Sequence, residues 1–149
     1  YYYRKRGTSM KQELLRRTVR ATNGRNGYIS SKDRDFTMQL EIPQEMGGKP
    51  NDNTNPEELF AAGYSSCFAS SMEYLLRSSD TAFESLFAEV TAKLVQDSSK
   101  GGFKFAATIT ASIAGVSEEV KKQIIDNAYQ FCPYSRAIMN NVDVEIHIV

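Results

Sequence analysis

Residues 57–73 read EELFAAGYSSCFASSME, and between Glu58 and Glu73 no residue carries a charge. Asn55 stands where a side chain caps a helix, Pro56 suits a first helical turn, and Glu57 and Glu58 complement the helix dipole. A helix that is apolar or small all round is buried on more than one side. Ala61, Ala62, Gly63, Ser65, Ser66, Ala69, Ser70 and Ser71 would admit close backbone approach, with Cys67 in their midst.

Working outward, the flanking segments read as strands. Leu15, Arg17, Val19 and Ala21 alternate with Arg16, Thr18 and Arg20, and Phe36, Met38, Leu40 and Ile42 alternate with Thr37, Gln39 and Glu41. This period of two sets one face of a strand on a core. Between them the glycines of Asn23-Gly24-Arg25-Asn26-Gly27 tolerate positive φ and predict a turn. Residues 43–56 form a loop with three of the four prolines. Downstream, Ala88, Val90, Ala92 and Leu94 alternate, residues 97–102 turn, and Phe103, Phe105, Ala107, Ile109, Ala111 and Ile113 alternate again, the pattern of a hairpin. Ser117 caps a second helix with Val120, Ile124, Ala128 and Phe131 at helical spacing, Pro133 ends or restarts it, and Val142, Val144, Ile146 and Ile148 make a last strand. Strands, helix, hairpin, helix and strand in that order favour an α+β fold with antiparallel sheets around a long buried helix.

The 149 residues suit a single domain, taken as 10–149, and balance 18 Lys and Arg against 18 Asp and Glu. The balance is uneven along the chain. Residues 1–20 hold seven cations (Arg4, Lys5, Arg6, Lys11, Arg16, Arg17, Arg20) against Glu13, so this segment carries +6 and the rest −6. Residues 1–9 precede the first methionine, Met10, and read as an adventitious or disordered arm outside the fold. Behind it the acidic body argues against nucleic acid or an anionic membrane as partner. No uncharged apolar run approaches the ~18–20 residues of a membrane span, and no leader opens the chain, so a soluble cytoplasmic protein is expected. Two cysteines, Cys67 and Cys132, are too few for a stapled scaffold or a thiolate zinc site. In a reducing compartment such a pair is catalytic, redox-sensing or simply buried.

Taken alone, Cys67 reads as a small buried hydrophobe rather than as a nucleophile. Cys132 is better placed for reactivity, because Cys132-Pro133-Tyr134-Ser135 opens a short helix whose free N–H groups favour a thiolate. His147, the only histidine, falls on the polar face of its strand with Asp143 and Glu145, which favours solvent exposure over a Cys–His dyad. An arginine can favour a thiolate instead: Arg25 in its Gly-rich turn is the candidate, with Glu57 to fix the guanidinium. Ten residues of helix put Glu57 about 15 Å from Cys67 along the axis, a gap the arginine must span.

Thr54-Asn-Pro-Glu-Glu-Leu-Phe-Ala-Ala-Gly-Tyr-Ser-Ser-Cys67-Phe, together with Cys132-Pro-Tyr-Ser, resembles the organic hydroperoxide resistance proteins within the osmotically inducible protein C superfamily. The turn Gly24-Arg25-Asn26-Gly27, the loop Pro43-Gln-Glu-Met-Gly-Gly and the closing Val142-Asp-Val-Glu add to a likeness running from about residue 16 to the end. The resemblance implies an intertwined homodimer with two long central helices between sheets. It implies Cys67 as the peroxidatic cysteine, Cys132 as the resolving one, Arg25 as activator of the thiolate and Glu57 as its orienting acid. It also implies an organic hydroperoxide as substrate, re-reduction by a lipoyl-type dithiol or lipoylated protein, and no metal or bound cofactor. Met46, Phe60, Tyr64 and Tyr134 are candidates to line an apolar pocket, and core packing explains each equally well. Arg136-Ala137-Ile138, after the second cysteine motif, is closer to the wider superfamily. Two alternatives therefore stay open: a superfamily stress protein less selective among peroxides, and a redox sensor without turnover.

Overall fold

The structure, a computed structural model, describes residues 12–149, and the arm at 1–9 lies outside the described residues. The chain divides into two compact units, one ending at Asn55 and the other running Pro56–Val149.

In the first unit β1 (Val19–Thr22), β2 (Tyr28–Ser31) and β3 (Thr37–Gln39) form an antiparallel sheet in that order. The middle strand was not expected. Tyr28-Ile29-Ser30-Ser31 offers one buried apolar residue, Ile29, too few for an alternation to register. Leu15 lies ahead of β1 and is 70% exposed, so that strand is shorter than its alternation implies. In the predicted turn Asn23 and Gly24 both take φ near 63°, and the 3-10 turn Gly24–Asn26 follows. Gly27 takes a negative φ, and its need for glycine has another cause: a Cβ there would lie 1.6 Å from the Thr22 carbonyl oxygen.

The second unit begins with helix α1 (Pro56–Ser78) and continues through β4 (Ser85–Gln96), β5 (Phe103–Ala114), α2 (Glu118–Phe131), α3 (Pro133–Ile138) and β6 (Asp143–Ile148). The β4–β5 hairpin pairs from Ser85 opposite Ala114 to Gln96 opposite Phe103, as its alternation predicted. Gly101 and Gly102 supply the positive φ of its turn. The Ser117 hydroxyl accepts from the Val120 N–H at 3.2 Å and caps α2. The core joins Tyr64, Phe68, Met72 and Leu76 of α1 to Ile109, Ala111 and Ile113 of β5 and to Ile124, Ile125 and Ala128 of α2. Among the described residues no helix is long and apolar enough to cross a membrane.

One expectation is corrected here. The sheets are not wholly antiparallel, because β6 pairs with β5 in parallel, Ala106 opposite Asp143 through Ala111 opposite Ile148. The helical segment between them supplies the crossover that parallel pairing requires, and alternation along a strand carries no information about direction. Within this single chain, α1 is covered along one face. Its buried face is Tyr64, Phe68, Ser71, Met72 and Leu76, while Ala62, Ser66 and Ser70 are exposed. That uncharged face remains compatible with water because its hydroxyls fold back on helix carbonyls, Ser66 onto Gly63 at 3.0 Å and Ser70 onto Ser66 at 2.7 Å.

Candidate active site

Cys67 projects from the middle of α1, and Cys132 occupies the joint where α2 ends and α3 begins. At that joint Cys132 leaves helical geometry (φ −59°, ψ 124°), and Pro133 takes the first position of α3, where its missing N–H costs nothing. Both cysteines are free; Cys67 is half-buried and Cys132 fully buried.

Cys132 belongs to the buried core and Cys67 packs against that core, close enough for Cys132 to act on the ionisation of Cys67. Burial pushes the Cys67 thiol above its ordinary range. The Tyr134 backbone N–H opposes that shift by donating to the sulfur, while the hydrogen bond and charge of Cys132 add to it. The α3 backbone donor from Tyr134 thus serves the sulfur of Cys67.

Aromatic rings frame the pair. Tyr64, one turn before Cys67, is fully buried and shares a 2.7 Å hydrogen bond with the Ser135 hydroxyl. Its ring stacks on Tyr134 with centroids 5.9 Å apart, and Phe60 stacks on Phe105 at 4.6 Å. A Cβ at Gly63 would lie 2.3 Å from the Tyr134 hydroxyl oxygen, so the glycine leaves room for that ring against α1. Of the candidate pocket residues, the structure thus sets Tyr64 and Tyr134 beside the cysteines, with Phe60 edge-on to Tyr64 at 5.9 Å. Tyr64 is part of the buried core, and Tyr134 is 39% exposed.

Arg25 and Met46 belong to the first unit. Arg25 is half-buried in its 3-10 turn. Its surroundings are fixed by neighbours: Asn26 Oδ1 accepts from the Ile42 N–H at 3.1 Å, and the Gly27 carbonyl accepts from Leu40 N–H at 2.8 Å and Gln39 Nε2 at 2.7 Å. Met46 is exposed at the end of a second 3-10 turn, Gln44–Met46. Glu57 is half-buried in the first turn of α1.

His147 is exposed on β6 and pairs with Glu145 at 2.8 Å, holding that carboxyl below its usual range. The Cys–His dyad is thus absent, as the strand parity predicted. Among the described residues no group of three or more His, Cys, Asp and Glu side chains is placed to hold a metal ion. Sequence reasoning gave no role to Ser135 or Phe105. Ser135 carries a usable signal, being three residues after Cys132 as Tyr64 is three before Cys67. Phe105 carries only its strand alternation.

The model of the OsmC-like protein family matches residues 48–147. Organic hydroperoxide resistance protein-like 2 of Staphylococcus epidermidis is 36% identical over 139 residues, covering 93% of this chain and 98% of the relative. Organic hydroperoxide resistance protein OhrB of Bacillus subtilis is 33% identical over 135 residues, covering 91% and 98%. The crystal structure of an organic hydroperoxide resistance protein from Elizabethkingia anophelis superposes with a TM-score of 0.87 at 34% identity, covering 93% of this chain and 98% of that one. That of Bacillus subtilis OhrB gives 0.81 at 32% identity, covering 92% and 100%. With a family model spanning most of the chain and relatives matched over nearly their whole length, the chain belongs to the organic hydroperoxide resistance proteins of the OsmC-like family.

Proposed function

We propose that the chain is a thiol-dependent peroxidase that reduces organic hydroperoxides, alkyl or lipid, to alcohols. The observation that carries the reading is a pair of free cysteines at one core cluster, the more accessible Cys67 packed against the core that buries Cys132. In this reading a peroxide reaches the first sulfur, and the second receives the product.

The Cys67 thiolate attacks the distal peroxide oxygen, the O–O bond breaks, and the alkoxide leaves and takes a proton to become the alcohol. Cys67 is left as a sulfenic acid. The Cys132 thiol condenses with it, expelling water and forming the disulfide. An external dithiol of lipoyl type, free or on a lipoylated protein, returns both thiols by exchange and is itself oxidised to a cyclic disulfide. This cycle needs no metal or bound cofactor and fits a reducing cytoplasm.

Burial alone makes Cys67 a poor thiolate, so the reaction requires a cation. Arg25 fills that role in this reading, with Glu57 orienting its guanidinium. Phe60, Tyr64 and Tyr134 of the second unit are the proposed apolar lining for the peroxide's organic group, and Met46 is a further candidate from the sequence. A homodimer would cover the uncharged face of α1 that this chain leaves exposed.

The test is peroxide consumption with cumene hydroperoxide and dihydrolipoamide, comparing wild type, Cys67→Ser and Cys132→Ser. Loss of turnover in both variants supports the reading, and wild-type consumption by Cys67→Ser contradicts it. A second reading, a redox sensor without turnover, uses the same pair of free cysteines. It predicts disulfide formation without turnover under any dithiol.

A further inference from the structure

We infer that the buried hydroxyl pair Tyr64–Ser135 is a positioning latch: it sets the start of α3 against α1 so that Cys132 and the Tyr134 N–H both meet the Cys67 sulfur. This rests on the peroxidase reading for its purpose and on the geometry for its existence.

Tyr64 and Cys67 are three residues apart on α1, and Cys132 and Ser135 are three apart across the start of α3. Each hydroxyl therefore lies about one helical turn from its cysteine. The oxygens meet at 2.7 Å and both residues are fully buried, so the bond is formed out of water's reach. The Tyr64 phenol lies close enough to both sulfurs for their thiolate forms to add to its upward shift, which burial dominates.

The segment being placed has little means of placing itself. α3 has six residues and no side-chain cap, far short of the length at which helix cooperativity fixes a position. Its docking comes from α1, through the Tyr64–Ser135 bond, the stacked Tyr64 and Tyr134 rings, and the space left by Gly63. A small rotation of α3 would draw the Tyr134 N–H off the Cys67 sulfur and take Cys132 out of line with it. Condensation of a sulfenic acid with a thiol demands that alignment.

The test uses Tyr64→Phe, Ser135→Ala and the double variant in the full chain. Without peroxide, the pH profile of Cys67 alkylation by iodoacetamide is read by peptide mass spectrometry. With one equivalent of tert-butyl hydroperoxide, the rate of Cys67–Cys132 disulfide formation is read alongside dimedone trapping of the sulfenic acid. Each single variant should move the alkylation profile to higher pH and slow disulfide formation about tenfold, with trapped sulfenic acid accumulating. The double variant should be slowed by about the same factor, not by the product, because one bond is lost in all three. A pair that only stabilised the fold would lower the melting temperature and leave profile and rate at wild type, and that result overturns the latch. Multiplying single effects would overturn it too. If a single variant does not fold, the double variant, which buries no unpaired hydroxyl, carries the same readouts. If wild type forms no disulfide with the peroxide, the peroxidase reading fails; the alkylation profile and diamide-driven disulfide formation then decide the latch alone.

Discussion

Cys67 sits in a conflict between access and ionisation. Burial and Cys132 push its thiol up, and the Tyr134 N–H pulls it down without a full positive charge. An activating cation should therefore be the most consequential side chain outside the cysteines. Arg25→Ala is expected to move the pH at which Cys67 alkylates upward by about 1–3 units and to slow its oxidation by peroxide by at least about tenfold. An unchanged alkylation profile would remove Arg25 from the account. Tyr64 gives a separate pH signature. Its phenol is pushed from 10.0 up to about 12, chiefly by burial. The folded state thus holds the proton more tightly than the unfolded chain. That contribution to stability is complete below pH 10.0 and is lost as pH rises towards about 12. Melting curves of wild type and Tyr64→Phe across that window should show a shallower alkaline decline for the variant. His147→Ala, by contrast, should change activity and stability by less than about 0.5 kcal/mol, since the residue is an exposed strand position. The two cysteine motifs were legible from short local runs. The Tyr64–Ser135 bond was not, because its partners are 71 positions apart and nothing local announces which hydroxyl meets which.

At the scale of elements, the hairpin, the Ser117 cap and the outward His147 were readable because each depends on neighbours in sequence. Ser117→Ala should cost about 1 kcal/mol, read as a lowered denaturant midpoint. The β2 strand escaped because four residues with one buried apolar side chain define no period, and the parallel β6 because direction is set by the helical crossover. The reading of α1 as buried on more than one side followed from its lack of charge. In the chain by itself serine hydroxyls satisfied by the helix account for that lack. Phe131 likewise kept helical spacing yet left the core, stacking instead on the exposed Tyr74 at 5.0 Å. Gly63 is where element packing and chemistry meet. Gly63→Ala should displace the Tyr134 ring, 2.3 Å from the added Cβ. It should therefore alter Cys67 alkylation more than it alters the melting temperature. The reverse pattern would show that the close approach matters only for packing.

For the whole molecule, the order of strands and helices gave an α+β class and little about assembly. Val19, Phe36 and Met38 are exposed in the first unit, and Ala62, Ser66 and Ser70 in the second. A partner subunit is the proposed cover for the α1 face, and sedimentation should find a dimer that Ser70→Arg weakens. A monomeric wild type would contradict that proposal. Central to the account is that Cys67 and Cys132 form one redox unit with unequal roles. The most direct test is to treat the fully reduced protein with one equivalent of cumene hydroperoxide, quench, and map the thiols by peptide mass spectrometry. The account predicts a single Cys67–Cys132 cross-link in wild type and, in Cys132→Ser, a sulfenic acid on Cys67 that dimedone captures. Oxidation that begins on Cys132, or a Cys67→Ser protein that consumes the peroxide as fast as wild type, would contradict it.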